Sequence, residues 1–335
     1  MFYNQNYIIV ILFSFFFSII FFSQHQKIAN FFKLIDRPDQ RKKHKSYVAI
    51  TGGLGLLIVT IFSLCLFSFI EIQDFFFITK EKYFEVIIFS SLIFFIGIYD
   101  DKYEINPISK LILTFIIYIL YLNINPEFLV KEISFSWTNH TLNLENFSFA
   151  FTLICFVIYL QIINMFDGMN LQCSLYSITL FLILYIILKN IFFLILISYL
   201  IVFSYFNFKN KSFLGDGGNY LISFYVSISL VYAHNNYLIS SDHIIFLLLI
   251  PVLDLFRLLL LRTRSKKSIF KPDRNHIHHY LLEKFRFNNI LLGYVLYLLI
   301  MTCFFLLRNE FMFLLSIVLF MIFYCYLLIF LRQKR

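Results

Sequence analysis

The stretch Gly97-Ile-Tyr-Asp-Asp-Lys-Tyr-Glu-Ile-Asn-Pro-Ile-Ser-Lys110 decides how this chain is read. It joins two apolar runs, with Asp100 and Asp101 side by side where the first run ends and Lys110 where the second opens. Paired carboxylates are expensive in hydrocarbon and at ease in water, so acids at such a boundary should face an aqueous site. A plain hydrophilic hairpin would satisfy the same local pattern. The remaining polar segments of the chain decide between the two.

Apolar runs continue on both sides along the whole sequence. Of 335 residues, 60% are hydrophobic and 14% charged, where soluble domains carry about a quarter charged residues, and the mean hydropathy is +0.81. The class that follows is an all-α, polytopic integral membrane protein, a single membrane domain over residues 1–335. Hydropathy gives eleven candidate transmembrane helices: Tyr7–Ser23, Ala49–Ile70, Tyr83–Tyr99, Lys110–Ile124, Phe147–Ile163, Cys173–Leu188, Ile191–Phe206, Asn219–Ala233, Ile244–Leu261, Ile290–Leu307 and Phe311–Leu331. The division at Lys189-Asn190 is required by length. Without it, Cys173–Phe206 would be one helix of about 50 Å, too long for a bilayer. Met1 to Asn6 carries no basic residue and no small-residue cleavage site follows Tyr7–Ser23, so that run is expected to be the first span and not a cleaved signal. The five cysteines lie in or beside apolar runs without ligand spacing and read as small core residues.

The formal charge of +9 would suggest nucleic acid in a soluble protein. Here the basic residues sit in loops, where they act as topology signals and as partners for anionic headgroups or phosphates. Alternate loops carry 22 and five Lys and Arg, so the rich side is expected to be cytoplasmic, with the N-terminus outside and the C-terminus inside. Every polar island with acids, amides, histidines or glycines in a pointed arrangement falls on that side. A transporter would carry its ionisable residues near the bilayer midplane, in broken helices. The helix centres are nearly free of them, which favours an enzyme working at the membrane surface.

The first island runs from Asp36-Arg-Pro-Asp-Gln-Arg-Lys-Lys-His44 to Gly52-Gly53. It reads either as positive-inside charge or as a loop whose glycines let a helix N-terminus approach an anion. It lacks the P-loop spacing. The second is Asp100-Asp101 with Lys110. The third, Asn164-Met-Phe-Asp-Gly168, sets Asn164 and Asp167 three residues apart on one helical face, although helix capping would use the same residue types. The fourth, Phe213-Leu-Gly-Asp-Gly-Gly-Asn219, puts Asp216 among glycines just before a span. The fifth is Pro272-Asp-Arg-Asn-His-Ile-His-His279, whose histidines suit hydrogen bonding to phosphate or sugar oxygens better than zinc, since neither cysteine nor helical His spacing accompanies them. His25, His140, His234 and His243 read as structural, with His44 set apart by its basic neighbours. Scattered acids that hold Mg²⁺ together with substrate phosphates, and bases and amides that hold those phosphates, suggest phosphoryl transfer, with a lipid phosphate as one substrate.

These islands, in order and spacing, resemble the polyprenyl-phosphate N-acetylhexosamine-1-phosphate transferases, glycosyltransferase family 4. The resemblance covers nearly the whole chain. Ile277 interrupts the consecutive histidines typical of the muramyl-pentapeptide branch, which favours the branch that transfers N-acetylglucosamine-1-phosphate from UDP-GlcNAc to undecaprenyl phosphate. The family implies a bacterial inner-membrane enzyme that releases UMP and starts O-antigen or another cell-envelope polysaccharide. It implies catalytic roles for Asp100, Asp101 and Asp216, Mg²⁺ (or Mn²⁺) on Asp216 and Asp167, and substrate contacts from Lys110, Asn164, Asp167, Arg274, His276, His278 and His279. The implied partners are a UDP-N-acetylhexosamine, undecaprenyl phosphate and membrane lipids, with room for a homodimer and none for nucleic acid. The chain departs from the family pattern at Asn170, Leu171, Gln172, Gly217 and Asn219, and at Ala49-Ile50-Thr51 before the double glycine, which leaves the sugar the most open point. The alternatives are the phospho-MurNAc-pentapeptide transferase and, in another class, a noncatalytic or transport membrane protein.

Overall fold

The computed structural model of the protein describes residues 5–37, 47–69, 80–138, 140–266, 268, 275–307 and 310–332. In chain order the helices are α1 (Gln5–Ser23), α2 (His25–Phe32), α3 (Gly52–Phe69), α4 (Lys80–Tyr103), α5 (Pro107–Ile124), α6 (Ser148–Phe166), α7 (Gln172–Leu188), α8 (Phe192–Phe208), α9 (Gly215–Asn235), α10 (Ser241–Arg264), α11 (Ile277–Lys284), α12 (Phe287–Leu306) and α13 (Glu310–Arg332). Two short antiparallel pairs, β1 (Ile35–Asp36) with β2 (Val48–Ala49) and β3 (Glu132–Ser134) with β4 (Thr141–Asn143), and two 3-10 turns, Pro126–Phe128 and Glu145–Phe147, complete the described elements.

The architecture is that of an all-α polytopic membrane protein. Six described helices, α4, α5, α6, α10, α12 and α13, are long and apolar enough by themselves to cross a bilayer. A seventh span results if α1 and α2, bent by 67° at Gln24, count together. The helices α3, α7 and α8 are apolar but shorter. Each of the eleven expected runs overlaps one long helix, and the break at Lys189-Asn190 is present. There Lys189 adopts φ 54°, its N–H closes on the Tyr185 carbonyl, and the Asn190 side chain accepts from the Phe192 N–H at 3.0 Å to start the next helix.

The bundle is organised around α9, which is buried without interruption from Gly217 to Val231. It is also one of the less apolar helices, with Asn219, Ser223, Ser227 and Ser229 along it. The three serines donate to carbonyls one turn back at 2.6–2.7 Å, and α3, α4, α6 and α7 pack around the helix, keeping those groups from lipid. Close approach is made possible by paired glycines. A Cβ on Gly53 would stand 2.4 Å from the Gly218 nitrogen, and one on Gly97 would stand 2.5 Å from the Gly217 Cα. The α3 and α4 backbones thus rest on the first turn of α9, in the manner of small-residue helix contacts in membranes.

Hydropathy stops helices too early at their polar ends. Helix α4 continues to Tyr103, so Asp100 and Asp101 lie in its last turn and not in a loop, and α5 starts at Pro107 behind an Asn106 cap that accepts from the Ile108 N–H at 2.9 Å. Helix α6 runs on through Asn164 to Phe166, and α9 begins at Gly215, placing Asp216 in its first turn. The backbone hydrogen-bond ladder does not end where the side chains become polar.

Candidate functional site

The polar ends of α4, α5, α6, α9 and α10 meet, with α11, around one cavity of about 1530 Å³. Nine of the ten sequence-derived site residues line it: Asp100, Asp101, Lys110, Asn164, Asp167, Asp216, His276, His278 and His279. The tenth, Arg274, lies outside the described residues, as do His44 and the basic run around it. Asp36 also lines the cavity. It is brought there because β1 pairs with β2 and Ala49 bridges to Ser212, which joins the first island to the fourth.

The acidic wall is built by α4, α5 and α9. The Lys110 ammonium donates to Asp100 Oδ2 at 2.5 Å and also to Asp216 Oδ2, and it stands 5.3 Å from the centre of the Tyr220 ring. Asp100 accepts the Ile105 N–H at 2.8 Å, the backbone turning back over the end of α4. Asn164 donates to Asp216 Oδ2 at 3.2 Å. Asp101 caps α9, accepting the Asp216 N–H at 2.9 Å and the Gly217 N–H at 3.3 Å, a carboxylate at the positive end of a helix. The anion-binding role considered for Gly52 and Gly53 is not what the structure shows. Their N–H groups donate to the Phe213 and Leu214 carbonyls at 3.0 and 2.9 Å and serve to fix the fourth island.

Asp167 caps the C-terminal end of α6. Its carboxylate accepts from Asn219 Nδ2 at 2.9 Å, while Asn219 Oδ1 accepts from the Cys173 thiol at 3.1 Å. Burial pushes the Asp167 carboxyl up to about 6, against a smaller lowering by the Asn219 amide. Gly168 is pressed against α11, where an added Cβ would fall 1.9 Å from His278 Nε2. The third island therefore lies directly on the fifth. The histidines form a group of their own, with His276 and His278 stacked at 5.2 Å and the His279 ring tilted against His278 at 4.3 Å.

No group of three His, Cys, Asp or Glu side chains poised to hold a metal occurs among the described residues. Mg²⁺ beside substrate phosphates uses a smaller donor set, one or two carboxylates. Asp216, bonded to Asn164, and Asp167, bonded to Asn219, line one cavity and fit that description.

Sequence reasoning missed four residues at the site. Arg262, 6% exposed, lines the cavity but reads in the sequence as one more positive loop charge. Asn207 accepts the Leu171 N–H at 2.7 Å and donates to the Ser212 carbonyl at 3.0 Å, and Asn210 accepts from Asn170 at 2.7 Å, so the third and fourth islands are tied side by side. Asp254 bonds to His276 from within an apolar helix. Its signal was legible, since an acid in the middle of such a run needs a partner.

A polytopic helical membrane protein with its acids, amides and histidines converging on one cavity is the class defined by this geometry. Residues 83–234, the segment from α4 to α9 that builds most of the acidic wall, match the model of glycosyl transferase family 4. Over that segment the chain is similar to that family. It is similar to the undecaprenyl-phosphate alpha-N-acetylglucosaminyl 1-phosphate transferase of Yersinia pestis, 24% identical over 290 residues that cover 82% of this chain and 76% of the relative. The protein of the same name from Escherichia coli K12 is 24% identical over 80% of this chain and 74% of its own length. A protein of Bacillus subtilis 168 named "Probable undecaprenyl-phosphate N-acetylglucosaminyl 1-phosphate transferase" is 27% identical over 74% of this chain and 69% of its own.

Proposed function

We propose that the protein transfers a sugar-1-phosphate, in the first instance N-acetylglucosamine-1-phosphate, from a UDP-N-acetylhexosamine to undecaprenyl phosphate, releasing UMP and starting a lipid-linked cell-envelope saccharide. The observation that carries this reading is the double character of the cavity. Acids, amides and histidines form one part, and Leu111 and Phe115 of α5, Ile154, Val157 and Ile158 of α6, and Leu255 and Leu259 of α10 form the other. Its volume of about 1530 Å³ exceeds the roughly 300–1,000 Å³ of ordinary small-molecule sites, room for a nucleotide sugar beside a lipid phosphate. The names of the relatives supply the lipid and the sugar. The excess of basic residues on the cavity side supports a cytoplasmic-facing site in a bacterial inner membrane.

The acceptor phosphate is largely ionised near neutral pH, so the site has to position it and hold its charge more than remove a proton. Lys110 is placed to do this, as a point charge at the acidic wall. An acceptor oxygen attacks the sugar-linked β-phosphorus, the new P–O bond forms, the pyrophosphate bond breaks, and UMP leaves with the bridging oxygen. Asp101 is engaged by two backbone amides, and Lys110 joins Asp100 to Asp216, an arrangement that supports direct attack over a covalent aspartyl intermediate. Mg²⁺, or Mn²⁺ in its place, held by Asp216 and Asp167, would neutralise charge on the phosphates. His276, His278, His279 and Arg262 line the same space and offer donors to the nucleotide or sugar phosphates.

The test is UMP release by purified protein given undecaprenyl phosphate, with UDP-GlcNAc and UDP-MurNAc-pentapeptide in parallel, each with and without Mg²⁺. Metal-dependent UMP from UDP-GlcNAc alone is expected. Release from the pentapeptide donor alone would transfer the protein to the muramyl branch, and folded protein inert on every UDP-N-acetylhexosamine would end the reading.

A further inference from the structure

Helix α10 carries an acid and a base in its membrane-spanning length, Asp254 and Arg257, and neither belongs to the acidic wall. Asp254 is 5% exposed and its carboxylate is engaged at both oxygens. Oδ1 accepts from Arg257 Nη2 at 2.6 Å, Arg257 Nε at 3.1 Å and the Tyr324 hydroxyl of α13 at 3.1 Å. Oδ2 lies 3.3 Å from His276 Nδ1. Arg257 also donates to the Asn275 carbonyl, and the Tyr280 hydroxyl donates to Asn275 Oδ1 at 3.2 Å. The pair on α10 thus grips the chain at and immediately before His276.

Packing alone would have docked α11, since Ile277, Tyr280, Tyr324 and Leu331 form a small apolar core between α10, α11 and α13. A buried ion pair is a poor substitute for such packing as a source of stability. What a carboxylate adds is control of an imidazole. Arg257 and Tyr324 donate to Asp254, and a carboxylate only accepts, so its contact with His276 calls for an N–H at Nδ1 and leaves Nε2 as the ring's other polar atom. Because His276 lines the cavity, the ring is held in one tautomer at the substrate space.

We propose that Asp254, braced by Arg257 and Tyr324, is a positioning residue that acts through His276, fixing the histidine's tautomer and ring orientation for contact with the phosphates of the donor. This rests on the transferase reading for its consequence but not for its geometry, and two measurements separate them. The first is a double-mutant cycle on UMP release by the full chain in detergent. Asp254→Asn should lower the rate by about 10- to 100-fold, whereas in a His276→Ala background it should change the rate by no more than about twofold. The same loss in both backgrounds, or none in the first, would overturn the proposal. The second is ¹⁵N NMR of histidine-labelled wild-type protein, with His276 assigned by its loss in His276→Ala. A proton on Nδ1 is expected, and a ring protonated at Nε2 alone would overturn the proposal whether or not Asp254→Asn folds. Wild-type protein that releases no UMP but shows the Nδ1 tautomer would refute the transferase reading and leave the Asp254–His276 arrangement standing.

Discussion

Both ends of α9 and α10 bury ionisable groups, and at the end of Asp216 and Arg262 those groups line a cavity. At the far end, Asp242 in the first turn of α10 is 1% exposed and accepts the Ser136 N–H at 3.0 Å and the Ser136 hydroxyl at 2.6 Å. His234 Nε2 sits 3.0 Å from the Ser241 hydroxyl and 3.3 Å from that of Ser134, and Asn235 donates to the Leu129 carbonyl at 2.9 Å. These bonds seat the β3–β4 hairpin on the ends of the two helices. At the near end, the carboxylates of Asp100, Asp167 and Asp216 are held by lysine and amide side chains that themselves line an open space of about 1530 Å³. Burial of a charge therefore does not distinguish a site from a strut. The distinction is whether its partners close it off or leave it facing a cavity.

The largest effect should come from the acidic wall. Asp216→Asn removes the charge that Lys110 and Asn164 address, and UMP release should fall by about 10³-fold, the scale of losing one preorganised electrostatic group. The unfolding midpoint in detergent, read on the same preparation, should move little. Wild-type turnover would erase the difference between the two ends. Next is the contact between the third and fifth islands. Gly168→Ala places a methyl 1.9 Å from the undisplaced His278 Nε2, so the His278 ring must shift, alone or with α11, and a displacement of that size should cost about 10²-fold in kcat/KM. A smaller effect is expected behind Asp167. Asn219→Ala removes the amide that orients the carboxylate, and the Mg²⁺ concentration for half-maximal rate should rise by about tenfold or more. An unchanged metal requirement would assign Asn219 to the packing of α9 alone.

How much of this was legible varies with the range of the interaction that decides it. That Asp100, Asp101, Lys110, Asn164, Asp167, Asp216 and the three histidines share one side is readable because apolar runs alternate, and the structure brings them to one cavity. The alternation is a one-dimensional signal, and it survives errors of several residues in every helix end. The ends themselves were misjudged for the reason seen at Tyr103 and Gly215: hydropathy reports a side chain's solvent, while the helix ends where its backbone hydrogen bonds do. The eight-residue helices α2 and α11 are too short to impose a readable period. Asn207, Arg262 and the Asp254–His276 bond depend on which helices are neighbours, and greasy spans carry no register that announces it. The glycine contacts of Gly53 and Gly97 with α9 are of this kind too. Treating His234 and His243 as structural agrees with the contacts found, His234 among hairpin serines and His243 stacked on Phe313 at 4.4 Å.

The smallest effect should come from the far end, and it is the sharpest control on the comparison. Asp242→Asn keeps an oxygen able to accept the Ser136 N–H but takes away the charge and the second acceptor that Ser136 Oγ uses. One of the two bonds to Ser136 survives, so the loss should be about 1 kcal/mol and below the roughly 3 kcal/mol of a fully stranded buried partner. Ser136→Ala should cost a similar amount, and the double variant less than the sum, because both remove the same hydroxyl–carboxylate bond. The midpoint of thermal unfolding reads this cost. UMP release per folded molecule should match the wild type, since nothing at Asp242 reaches the cavity. If turnover instead fell in step with Asp216→Asn, the two ends would be coupled along α9 and α10, and the hairpin would have to be counted as part of the machinery it stands opposite.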